Sequence, residues 1–196
     1  MPPSPVFVVT GTSGAGKGTI ERALLERMPE LELAISATTR QRREGEVDGR
    51  EYWFISDEEF DRRLAAGEFL EHIVFEWGQR SGTLRSEIDR ILAAGRIPLL
   101  DLETEGALRL AGTRSVGAVT IFVKAPSFAE NERRLRERAT ETEGEIEDRL
   151  ELARHQLEQE RLFHHVIEND ELEHAVDELE EIVRGAVANA GTVSRP

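Results

Sequence analysis

These 196 residues contain no cysteine, which excludes disulfide staples, thiolate zinc sites and nucleophilic thiol chemistry. No apolar stretch approaches the roughly 20 residues of a membrane-spanning helix. The opening Met1-Pro2-Pro3-Ser4-Pro5 has neither the basic region nor the apolar run of a secretory signal. Positive charge is also short: 25 Lys and Arg against 39 Asp and Glu give a formal charge of −14. That balance argues against nucleic acid or an anionic membrane as a partner. These absences together suit a cytoplasmic protein. The five histidines (His72, His155, His164, His165 and His174) show no metal-ligand spacing with other donors, and they read as structural or surface residues. There is no internal repeat and no low-complexity linker. The 39% apolar content is enough to build the core of one α/β domain of this length.

An acidic chain that binds an anion must gather its few cations locally, so loops rich in glycine, lysine and arginine carry the information. Residues 6–19 read Val-Phe-Val-Val-Thr-Gly-Thr-Ser-Gly-Ala-Gly-Lys-Gly-Thr. A β-branched apolar run feeds a glycine loop that ends in lysine, and Ile20, Ala23, Leu24 and Met28 then share one face of a helix. Gly11-x4-Gly16-Lys17 is the spacing of a phosphate-binding loop. Its N–H groups, from Gly11, Thr12, Ser13, Gly14, Ala15, Gly16, Lys17, Gly18 and Thr19, can wrap a polyphosphate at the positive end of the helix. Lys17 can reach the β- and γ-phosphates of a bound nucleotide. Gly18 stands where the pattern has Ser or Thr, and Thr19 follows one residue later, so Mg2+ entering with the polyphosphate is expected to be held mainly by phosphates and water. A plain glycine turn would look similar without the strand and helix on either side.

Strand and helix patterns alternate along the chain. Strands are expected over 6–10, 33–36, 51–55, 69–75, 97–101, 118–123 and 166–167, and helices over 17–28, 57–66, 84–94, 127–163 with a break at 140–144, and 171–188. Ser56 with Glu59 three residues on forms a capping box, and Gly78 and Gly82 mark a turn. The alternation predicts an α/β fold with a parallel sheet covered by helices on both faces, its ligands at the carboxyl ends of the strands. Asp101 closes such a strand, a fitting place to hold a metal through water.

A second motif lies in residues 36–54, Ser-Ala-Thr-Thr-Arg-Gln-Arg-Arg-Glu-Gly-Glu-Val-Asp-Gly-Arg-Glu-Tyr-Trp-Phe. Arg40 and Arg43, three apart on a polar loop, can converge on one phosphate through charge-assisted bonds, with serine and tyrosine hydroxyls completing its oxygen shell. This segment resembles the guanylate kinase signature Ser-x-Thr-Thr-Arg-x-x-Arg-x-Gly-Glu-x-x-Gly-x-x-Tyr-x-Phe at every fixed position. The resemblance runs from about Val6 to residue 187. It implies a P-loop kinase fold with an inserted acceptor-binding subdomain and a helical lid: core 5–35, 87–127 and 150–187, GMP-binding segment 36–86, lid 128–149, and tails at 1–4 and 188–196.

The resemblance further implies transfer of the γ-phosphoryl group of ATP to GMP, and by the same contacts to dGMP, in purine metabolism. Ser36, Arg40, Arg43 and Tyr52 would hold the GMP phosphate. Glu71, in Gly67-Glu68-Phe69-Leu70-Glu71, would accept hydrogen bonds from the N1–H and 2-amino groups of guanine, with Thr83 and Glu103 nearby. Arg134, Arg138 and Arg149 match the lid arginines of the family, and Asn169 a residue near adenine. Departures from the family pattern fall mostly on the acceptor side and the lid. Ser81 replaces a tyrosine, 73–77 is one residue longer, Glu103-Thr104-Glu105-Gly106 replaces Asp-x-Gln-Gly, and Ala139 replaces a glycine. Two other readings accompany the main one: a nucleoside monophosphate kinase with shifted acceptor preference, and a non-catalytic guanylate-kinase-like binding module.

Overall fold

The computed structural model describes residues 5–75, 78–111, 117–137 and 143–192. Five parallel strands form the main sheet in the order β2-β7-β1-β8-β9: β1 Val6–Gly11, β2 Leu31–Leu33, β7 Ile97–Asp101, β8 Ala118–Lys124 and β9 His165–Glu168. The central strand β1 is buried on both faces, which explains its unbroken apolar run. Phe7 and Val9 point one way, into a core with α1 (Lys17–Arg27) and α7 (Leu172–Thr192) that includes Ile20, Leu24, Val176 and Leu179. Val6 and Val8 point the other way, against α3 (Arg85–Ala93) and α4 (Thr104–Ala111) through Ile88, Ile91, Ala107 and Leu110. The period of two along one strand thus feeds two separate cores.

A second, mixed sheet has the order β4-β3-β6-β5, with β3 Ala37–Thr38, β4 Trp53–Phe54, β5 Phe69–Val74 and β6 Arg80–Leu84. Helix α2 (Asp57–Ala65) packs Phe60 onto Phe69, the rings stacked at 4.4 Å. Half of the capping box forms: the Ser56 hydroxyl accepts the Glu59 N–H at 3.2 Å, while the Glu59 carboxylate pairs with Arg62 and Arg63. Two helices, α5 (Phe128–Glu137) and α6 (Glu143–Glu158), meet through Leu135, Ile146 and Leu150, and a 3₁₀ turn follows at Glu160–Leu162.

Several sequence expectations are corrected. The strand expected at 33–36 is mostly a connection: β2 ends at Leu33 and β3 begins at Ala37 on the other sheet, so the chain leaves the core within that segment. Gly82 lies inside β6 and not in a turn; a Cβ there would meet the Glu71 carbonyl at 2.6 Å, so the close approach of β5 requires glycine. Helix α4 is an addition, hidden by its short length, and α7 runs to Thr192, beyond the expected end at 188. Residues 1–4, Glu76 and Trp77, Arg138, Ala139 and most of the break at 140–144 lie outside the described residues.

Candidate active site

The glycine loop links the end of β1 to α1. Gly11 runs so close to β8 that a Cβ would lie 2.1 Å from the Val123 carbonyl. Gly16 caps α1 at φ 86°, a left-handed conformation suited to glycine, and a Cβ there would meet the Asn169 amide at 2.7 Å. No side chain caps α1, so its first N–H groups face the loop's concavity. Gly18 and Thr19 are exposed, and a Cβ on Gly18 would meet nothing within 4 Å.

Three side chains that the sequence reading missed lie at this loop, and two of them brace it. Asn131 of α5 donates to the Ser13 carbonyl at 2.8 Å and accepts from the Thr12 hydroxyl at 3.4 Å. Gln156 of α6 accepts the Ser13 N–H at 2.9 Å. The third, Glu21, is treated below. Their signal was available: Asn131 precedes Leu135 by one turn and Gln156 follows Ala153 by three, so both are polar residues on apolar helix faces. Asn169, expected near adenine, spends its amide on the Ala15 carbonyl at 2.7 Å. Arg149 donates to the Ser13 hydroxyl at 2.8 Å, and Arg134 joins Glu130 at 2.7 Å to the Asn169 carbonyl at 3.0 Å. Two of the three expected lid arginines therefore stand beside the loop; Arg138 lies outside the described residues.

Lys17 is paired with Asp101 at the end of β7 and also reaches the Leu102 carbonyl at 3.4 Å. Burial alone would push the Lys17 ammonium down. The carboxylates of Asp101, Glu21 and Glu103 outweigh it, and Lys17 stays charged with a raised pKa. Glu21, one turn along α1, is only 4% exposed, and its Oε1 has no hydrogen-bond partner. Burial, then the Asp101 charge, pushes its carboxyl up to about 8, against relief from Lys17. A carboxyl on the core face of the helix that follows Lys17 was the signal for it. Glu103, exposed between β7 and α4, makes no hydrogen bond to Glu71 or Thr83, which bond to each other.

On the second sheet Arg40 makes a two-point pair with Glu46, at 2.7 and 3.0 Å, and lies over the rings of Tyr52 (5.4 Å) and Phe54 (5.5 Å). Glu46 also accepts the Arg43 N–H at 2.7 Å, so one carboxylate organises both arginine positions. The Arg40 guanidinium, then the Arg43 N–H, hold Glu46 down at about 2. Burial, reinforced by Asp101, raises the Tyr52 phenol, which stays protonated and able to donate. Ser36 sits just before β3, its carbonyl accepting the Trp53 N–H at 2.9 Å.

Glu71 and Thr83 prove to be cross-strand partners. A bulge between Phe69 and Glu71 shifts the register and sets Glu71 opposite Thr83. Glu71 Oε1 accepts both the Thr83 N–H at 2.9 Å and its hydroxyl at 3.0 Å. Burial raises the Glu71 carboxyl above the ordinary range, and the two Thr83 bonds pull it back. Ser81, at the family's tyrosine position, donates to the Ala37 carbonyl at 3.1 Å within the sheet. Among the described residues no three His, Asp or Glu side chains converge as a metal cluster, and no helix is long and apolar enough to cross a membrane.

The arrangement is a phosphate loop with its lysine on one sheet, and paired arginines with a buried carboxylate on the other. Comparison with known proteins agrees with it. The family model for guanylate kinase matches residues 4–186. A guanylate kinase of Synechococcus sp. (strain CC9902) is 46% identical over 173 residues, 88% of this chain and 91% of its own. That of Rubrobacter xylanophilus is 42% identical over 183 residues, 93% and 95% of the two chains. The crystal structure of guanylate kinase from Anaplasma phagocytophilum is similar with a TM-score of 0.72 at 28% identity, over 94% of this chain and 88% of that one. A chain matched over this length, with the phosphate loop and acceptor motif both in place, belongs to the guanylate kinase family, the ATP:GMP phosphotransferases.

Proposed function

We propose that the chain binds ATP at Gly11–Thr19 and GMP on the second sheet, and passes the γ-phosphoryl group between them. The observation that carries this reading is the pair between Lys17, at the start of α1, and Asp101, at the end of β7, with the Tyr52 phenol close enough to feel both charges. That supports an arginine loop within reach of the phosphate loop. The four strands of the second sheet all fall within 36–86, which supports that segment as the acceptor unit, beside a core of 5–35, 87–127 and 150–187. Arg134 and Arg149, on α5 and α6, support a lid at 128–149.

The chemistry asks for little covalent help from the protein. An oxygen of the GMP phosphate is already an anion and needs no general base. It attacks the γ-phosphorus in line, the bond to the ADP oxygen breaks, and charge spreads over the transferring oxygens. Ser36, Arg40, Arg43 and Tyr52 fix the attacking phosphate. Glu71 takes two guanine N–H donors, a pair adenine lacks, with Thr83 holding its carboxylate and Glu103 at the rim. Lys17 leaves Asp101 for the β- and γ-phosphates. Arg134, Arg138 and Arg149 neutralise developing charge and exclude water, so that ATP is not lost to hydrolysis. Asn169 serves ATP by bracing Ala15.

Mg2+ fits this donor set: Gly18 offers no hydroxyl but open space, and Asp101, the partner of Lys17, is a half-exposed carboxylate. Such a site suits an ion that keeps most of its water. Bound with ATP, Mg2+ would offset the negative charge of the phosphates. The contacts use no 2′-hydroxyl, so dGMP is the expected second acceptor. The cysteine-free composition supports work in the cytoplasm. Relatives named guanylate kinase favour neither a shifted acceptor nor a silent binding module. Lys17→Ala tests the reading: turnover with ATP and GMP should fall by about 10²–10³ in a folded protein, and near-wild-type turnover would refute it.

A further inference from the structure

Helix α4 lies between the two sheets, and one of its residues stands against the carboxylate assigned to guanine. Gly106 is buried, and a Cβ placed on it would lie 2.6 Å from Glu71 Oε2, 3.4 Å from its Cδ and 3.7 Å from Ile73 Cγ2. Glu71 is therefore gripped from two sides: Thr83 binds Oε1 and the bare face of Gly106 accommodates Oε2. Helix α4 cannot simply back away. Ala107 and Leu110 are fully buried in the core, Thr104 faces the Thr10 hydroxyl at 3.5 Å, and Arg109 donates to the His72 carbonyl on β5. The Glu71 main chain is fixed by the β5–β6 ladder. The soft element is the carboxyl group itself, so any side chain at 106 would be accommodated by moving the atoms that read the base.

We propose that Gly106 is a positioning residue for guanine selectivity, setting where the Glu71 carboxylate stands. This rests on the reading of Glu71 as the base-recognising group. The carboxylate must bridge two donors at once, N1–H and the 2-amino group, and a displacement of about 1 Å in such a group can cost around 10²-fold. Fold and ATP site should be spared, because alanine is the better helix former and the clash falls on a flexible side-chain end.

The test compares wild type, Gly106→Ala, Glu71→Ala and the double variant for affinity toward GMP, IMP (which lacks the 2-amino group) and ATP, with thermal melting as the check on folding. Gly106→Ala should weaken GMP binding about 10–100-fold, reduce the preference for GMP over IMP, and leave ATP binding unchanged. In the Glu71→Ala background the same substitution should have no further effect on GMP. An unchanged GMP-over-IMP preference in Gly106→Ala, or an equal loss in both backgrounds, would overturn the role of Gly106. Wild-type GMP affinity in Glu71→Ala would instead overturn the Glu71 reading beneath it. If Gly106→Ala does not fold, Glu71→Asp/Gly106→Ala restores room for the methyl. The double variant should then fold with the GMP-over-IMP preference of Glu71→Asp alone; a double variant that still fails to fold, or a further fall in preference, would overturn the proposal.

Discussion

Replacing Arg40 by alanine gives the sharpest measure of the acceptor site. Its guanidinium is mostly covered, with 17% of the side chain exposed, and is aligned by both Glu46 oxygens and the rings of Tyr52 and Phe54. Charge-assisted bonds of this kind contribute about 1.5–3 kcal/mol each, so their loss should weaken GMP binding roughly 10–150-fold. The upper end is expected. Without Arg40, Glu46 keeps only the Arg43 N–H, and its unneutralised charge would repel the incoming phosphate. Arg40→Lys should fall between, since an ammonium keeps the charge but cannot make the two-point contact. The effect on stability should stay below about 1 kcal/mol, because the ion pair is partly solvated. Calorimetry with GMP, alongside guanosine measured as a competitor, separates the causes. Guanosine has no phosphate, so its weak binding should not change. Equal GMP affinity in Arg40→Ala, or an equal loss for guanosine, would refute the assignment.

Two further perturbations follow from the braces and the buried acid. Glu21 keeps its proton in the folded protein up to about pH 8 but loses it near 4.5 when unfolded. The native state therefore binds more protons across that window, and stability should fall with rising pH by on the order of a few kcal/mol. Glu21→Gln should flatten this slope in denaturant titrations at pH 5 to 8, and an unaltered slope would contradict the buried-acid reading. Asn131→Ala leaves the Ser13 carbonyl without its donor, a loss of about 1–3 kcal/mol. It should lower both melting temperature and ATP affinity, while a variant that melts earlier yet binds ATP normally would show that the brace is only structural.

Much of the core was legible because strand β1 and the glycine loop obey local rules: apolar continuity for a doubly covered strand, and glycine where a Cβ cannot fit. The second sheet was harder. Strands β3 and β4 are two residues each, too short for a period, and Gly82 reads as a turn in sequence while serving a close strand pairing. The acceptor motif named Glu71 and Thr83 separately, but only the bulged register makes them partners. Asn131, Gln156 and Glu46 act through contacts formed by folding, three to more than a hundred residues apart in sequence, which spacing alone does not reveal.

The central claim, that this chain phosphorylates GMP and recognises its base through Glu71, is tested most directly by the purified protein with ATP and a panel of GMP, dGMP, AMP, UMP and CMP, following diphosphate formation. GMP should be the preferred acceptor with dGMP next, and AMP, UMP and CMP should react at trace rates. Glu71→Gln should depress the GMP rate far more than ATP affinity. Transfer to AMP or a pyrimidine nucleotide at rates matching GMP, or no transfer to GMP at all, would contradict the account.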